Sequence, residues 1–170
     1  MSAPTRRGAL CVFLAASGAL AISACAFEPL HRPGGALGDL RGTVAISGVD
    51  GREGYAFRRT LERRFGTAAP NPAYLLEARL NFERRGLAIT RDDAVTRFDV
   101  SGEAAFALRQ TTDGSLVAEG VARALSAYSA LATPYATRIA ARDAERRVAE
   151  DLAERVYAQI AAQLSRSSVK

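Results

Sequence analysis

The 170-residue chain is poor in the side chains that carry most enzyme chemistry. It has one histidine, His31, and two cysteines, Cys11 and Cys25. A single imidazole makes neither a metal site nor a catalytic relay unless other groups converge on it, and no cysteine–histidine pattern has zinc spacing. There is no Gly-x-Ser-x-Gly turn, no phosphate-binding loop and no dinucleotide fingerprint. A nucleic-acid recognition motif is missing too. The main apolar run, Gly8 to Ala21, holds fourteen residues. That is short of the roughly 20 a helix needs to cross a bilayer. These absences argue for a binding or scaffolding protein rather than an enzyme, with no cofactor and no nucleic-acid partner.

The N-terminus is informative. Arg6 and Arg7 precede the apolar run, which has the layout of a secretory signal. Ile22, Ser23 and Ala24 then lead directly into Cys25. A bulky aliphatic, two small residues and a cysteine resemble the lipobox of bacterial lipoproteins. The resemblance implies cleavage before Cys25 and acylation of both its thiol and its new N-terminus. Each buried CH₂ of an acyl chain contributes about 0.8 kcal/mol, so more than one chain anchors stably. Residues 1–24 are therefore expected to be a signal peptide, leaving 146 residues, enough for one domain. The signal takes two arginines and no acid with it, so the net charge falls from +5 to +3. Cys11 leaves with the signal and Cys25 carries lipid, so the mature domain has no disulfide and depends on its core.

Residues 25–42 hold two prolines and four glycines and read as an extended, lipidated tether. Phe27 and Leu30 within it are placed to pack on the domain or on a partner. Thr43 to Val49 is β-branched and short, a first strand. Phe57, Leu61 and Phe65 recur every four residues and predict a helix from about Glu53 to Phe65, ended by Gly66. Tyr74 to Ile89 alternates, with Tyr74, Leu76, Ala78, Leu80 and Phe82 opposite Glu77, Arg79, Asn81 and Glu83. Gly86 marks a candidate bulge. After an Asp92-Asp93 turn, Val95 to Arg109 repeats the alternation. Thr112-Asp113-Gly114 is a hairpin signal. Leu116 to Leu131 reads as a third long strand, although its alanines favour helix. Thr133-Pro134 starts a helix to about Leu164, with threonine at the cap and proline in the first turn. Its stripe is Ala141, Ala144, Val148, Leu152, Val156 and Ile160, with Ile139 off it. Opposite charges four apart (Asp143–Arg147, Arg146–Glu150, Arg147–Asp151, Asp151–Arg155) contribute about 0.2–0.5 kcal/mol each in an isolated helix. A frayed tail, residues 166–170, is expected to follow a single domain over residues 43–165.

The predicted order is β-α-β-β-β-α. Three antiparallel strands with one apolar face and two amphipathic helices are most economically buried as an α+β two-layer sandwich. Both helices then lie on one face of a four-stranded, mostly antiparallel sheet, and strand one joins by a right-handed crossover. The other face is left to water or a partner. Arg84, Arg85, Arg91 and Arg97 bracket the Asp92-Asp93 turn. Arginine's planar fork suits phosphate and carboxylate groups, so these four are candidates for an anionic lipid head group. The alternative is a solvated tip neutralised by Glu83, Asp92, Asp93 and Asp99.

The start Cys25-Ala26-Phe27-Glu28-Pro29-Leu30, with the element order and the long C-terminal helix, resembles the lipopolysaccharide-assembly lipoprotein family (LptE-type). Members commonly begin Cys-Gly-Phe-x-Pro-Leu-Tyr; this chain departs at Ala26 and His31. The resemblance implies an outer-membrane protein, lipid-anchored on the periplasmic side. It would bind and plug a large LPS-assembly β-barrel (LptD-type), aid its assembly and assist delivery of lipopolysaccharide to the outer leaflet. Ala26 after the acylated cysteine is compatible with sorting to the outer membrane. Two other readings remain open at this point: an auxiliary lipoprotein of an ABC-type lipid transporter, and a lipid-anchored enzyme with a convergent polar pocket.

Overall fold

A computed structural model describes residues 40–89, 95–130 and 133–167. The signal peptide, Cys25, Phe27, Leu30, His31, Arg91 and the Asp92-Asp93 turn lie outside these residues. The elements are β1 (Val44–Ser47), α1 (Gly51–Phe65), β2 (Tyr74–Ile89), β3 (Val95–Gln110), β4 (Leu116–Ser129) and α2 (Pro134–Ser167). They form one four-stranded sheet in the order β1-β2-β3-β4. β1 runs parallel to β2, and the other two pairings are antiparallel. The expected α+β class and β-α-β-β-β-α order are both found.

The differences are at the ends of elements. β1 is four residues long, because the chain turns at Gly48, whose φ is 79°. Gly66 ends α1 with φ 82° and ψ 168°, and its N–H donates to the Glu62 carbonyl at 2.8 Å. That is the mirror-image extended region open to glycine, not the left-handed helical one. α2 continues to Ser167, beyond Leu164; Arg166 donates to the Ala162 carbonyl at 3.0 Å. Thr133 caps α2, its hydroxyl accepting from the Ala136 N–H at 3.3 Å. The β2–β3 register shifts between Gly86 and Ala88, where a bulge was expected. In the β3–β4 hairpin the Asp113 carboxylate accepts from the Ser115 N–H at 2.9 Å, and this bond holds the carboxyl below the usual carboxylate range.

One core fills the space between sheet and helices. Phe57, Leu61 and Phe65 of α1 and Val148, Leu152, Val156 and Ile160 of α2 are fully buried in it. The even-numbered residues of the three long strands face them: Leu76 and Ala78, then Val100, Ala104 and Leu108, then Ala118 and Ala122. The contact is close because small residues meet on both sides. Gly102 lies under α2 so tightly that an added Cβ would overlap Val148 and stand 3.0 Å from Leu152. At Gly120 it would stand 2.8 Å from Gln159. On β4 Ala118, Ala122 and Ala124 therefore face the helix, while Val121 and Leu125 point away from it. No helix among the described residues is long and apolar enough to cross a membrane.

Candidate functional site

The odd-numbered side chains of β2, β3 and β4 form the face without helices. Cross-strand register aligns them in rows: Glu77, Ala107 and Glu119; Arg79, Ala105 and Val121; Asn81, Glu103 and Arg123; Glu83, Ser101 and Leu125; Arg85, Asp99 and Ala127. Neighbours of opposite sign pair on the surface. Arg123 donates to Glu103 at 2.8 Å, and Arg85 donates twice to Glu83 at 3.0 Å. The Glu83 carboxylate raises the Arg85 pKa further above its usual value through this bond. Exposed ion pairs of this kind are screened by solvent. They stabilise the fold little and are free to exchange partners. Leu125, Leu116 and Val121, 64%, 45% and 44% exposed, are apolar side chains on this face, Leu116 in a row with Arg109 and Leu75.

The four arginines singled out from the sequence do not form one patch. Arg85 and Arg97 lie on the open face, Arg97 opposite Ser129 on β4. Arg84 is one residue out of phase with Arg85 and points to the helix side. There it pairs with Glu145 of α2 at 2.5 Å and lies 5.8 Å over the Tyr128 ring, which stacks on Phe98. Arg52 of α1 reaches the same Glu145 at 3.6 Å. Arg84 therefore ties the hairpin to the helix layer, which a strand-by-strand reading did not reveal. Arg91 lies outside the described residues.

A second surface, which sequence reasoning missed, is an open groove of about 520 Å³ between α1 and α2. Tyr55, Arg59, Ile139, Arg142 and Asp143 line it. Asp143 is bonded by Arg146 and Arg147, and the Arg146 bond holds its carboxyl below the usual carboxylate range. Arg147 makes the expected pair with Asp143 and reaches the Ser126 hydroxyl rather than the also expected Asp151. The exposed side of Ile139 was the one available signal. Among the described residues no cluster of His, Cys, Asp and Glu could hold a metal ion.

The family model described as LptE, lipopolysaccharide-assembly, matches residues 42–160. The chain belongs to the LptE family. Solved structures share the LptE fold. A chain from Caulobacter crescentus CB15 is 24% identical with a TM-score of 0.61, covering 74% of this chain and 93% of that one. A minor lipoprotein from Acinetobacter baumannii is 18% identical, TM-score 0.56, covering 72% and 93%. Rare lipoprotein B from Shewanella oneidensis is 15% identical, TM-score 0.53, covering 70% and 93%. No curated protein matches the chain. Membership makes this a protein of lipopolysaccharide assembly.

Proposed function

We propose that the chain is anchored to the outer membrane by lipid on Cys25, on the periplasmic side. There it binds and plugs the LptD-type β-barrel, aids its assembly and assists passage of lipopolysaccharide. The observation that carries this reading is the open sheet face. Its mixture of acidic and basic side chains suits the polar lumen wall of a wide barrel. An exposed apolar sheet face would instead suit lipid or a hydrophobic partner. A sheet braced by a 34-residue helix also makes a stiff insert. Contact with lipopolysaccharide falls to Arg84, Arg85, Arg91 and Arg97 in this reading, whose planar forks fit lipid phosphates. Arg84 would have to exchange Glu145 for the phosphate.

Affinity purification of the tagged chain from detergent-solubilised outer membranes, with mass spectrometry of the eluate, tests the partner. A stoichiometric β-barrel is expected. An inner-membrane transporter in its place would overturn the reading. Charge reversal of the four arginines is expected to weaken lipopolysaccharide binding; unchanged binding would remove them from the site.

A further inference from the structure

The two helices run the same way across the sheet. Towards the start of α1 Arg52 reaches Glu145 at 3.6 Å, and towards its end Arg64 pairs with Glu154 at 2.9 Å. Both walls of the groove between them carry side chains in the same order. On α1 these are Tyr55, Arg59 and Arg63; on α2 they are Ile139, Arg142 and Arg146. Residues three or four apart are neighbours on a helix surface. Each wall therefore passes from an apolar side chain to cationic ones within one turn, and in the same direction. The apolar members are open to water, Tyr55 being 62% exposed and Ile139 44%.

The charges of the groove do not balance. Five arginines and three acids line it. All three acids are already engaged. Arg52 takes Glu53 at 3.3 Å, Arg146 takes Glu150 at 3.0 Å, and Asp143 is held by Arg146 and Arg147. Arg63 donates to the Thr60 hydroxyl at 2.8 Å. Arg59 and Arg142, one on each wall, are exposed and have no hydrogen-bond or ion-pair partner among the described residues.

We propose that this groove takes an amphipathic helix of a partner protein, one in which an apolar residue and a carboxylate stand a turn apart. The charge asks for the carboxylate, because Arg59 and Arg142 have no acid of their own. The spacing asks for a helix. An apolar residue at i with acids at i+4 and i+8 repeats the order of the walls, and anchors a turn apart are how such a helix is held in a groove. A helix also keeps its polar side towards water, whereas an acyl chain in an open groove would leave one side wet. A second copy of this chain fits poorly, since two grooves with an excess of arginine repel each other. The inference concerns the helix layer; it goes beyond the barrel reading of the sheet face and does not depend on it.

Fluorescence anisotropy with the full chain in neutral detergent micelles tests it. The probe is a labelled, alanine-based peptide with leucine at i and glutamate at i+4 and i+8, stapled because short helices are marginal in water. The control carries lysine for glutamate. The acidic peptide should bind and the basic one should not. Arg59→Gln with Arg142→Gln should weaken binding by about tenfold, and Tyr55→Ala with Ile139→Ala should weaken it as well. All four side chains are exposed, so the urea midpoint should stay where it is. Arg138→Gln, an exposed arginine of α2 outside the groove, should bind like the parent. The proposal is overturned if the acidic peptide does not bind, if both peptides bind alike, or if Arg138→Gln weakens binding as much as the groove pair. It is also overturned if the groove pair lowers binding to anionic phospholipid vesicles and leaves peptide binding intact, which would make the occupant a lipid surface.

Discussion

Gly102 sits where α2 presses hardest on the sheet. A methyl group there would meet Val148, Leu152 and Phe82 at once. Overpacking of this kind typically costs about 1–3 kcal/mol. Gly102→Ala should lower the urea midpoint accordingly, and Val148→Ala in the same chain should recover part of the loss. Asp143 makes a prediction of the opposite kind, small and dependent on pH. Its folded pKa is depressed, first by the Arg146 hydrogen bond. Its contribution is therefore complete above the ordinary carboxylate pKa and is lost as pH falls through the lowered one. Because the side chain is 40% exposed, Asp143→Asn should cost less than about 1 kcal/mol at neutral pH. The measurement is thermal unfolding from pH 7 to pH 2, in which the variant should show a shallower acid limb.

At the scale of the element, α2 and β4 behave as a unit. α2 contributes the largest buried stripe, so Leu152→Ala should destabilise by about 2–5 kcal/mol. Thr133→Ala, which loses only the cap, should cost about 0.5–2 kcal/mol in the same denaturant titration. α1, α2 and the faces of β2 and β3 were legible in the sequence because a period of four or of two survives any tertiary context. β4 was less so. Val121 stands between Gly120 and Ala122, and size alone would turn the valine inward. The close approach of α2 reverses this, because only small side chains fit beneath it.

At the scale of the whole molecule, the two layers leave surfaces of different kinds. The sheet face is polar and self-neutralised, while the helix layer carries a groove with Tyr55, Arg59, Ile139 and Arg142. If the sheet face meets the barrel, Arg79→Glu with Arg123→Glu should reduce the barrel recovered with the tagged chain without moving the melting temperature. Arg59→Glu with Arg142→Glu should leave that recovery unchanged. Anchoring is tested separately: Cys25→Ala should remove the chain from the outer-membrane fraction.

The sequence by itself determined the element order, the buried stripes, the likeness to the LptE family and the paucity of catalytic groups. These depend on local periodicity, short motifs and residue type, which do not wait for the chain to fold. The tertiary structure alone decided two things: that Arg84 and Arg85 face opposite ways, and that Ala118 and Ala122 rather than Val121 face the helix from β4. Each depends on which distant segment lies alongside. A pairing between residues 61 apart, such as Arg84 with Glu145, leaves no periodic trace in the chain.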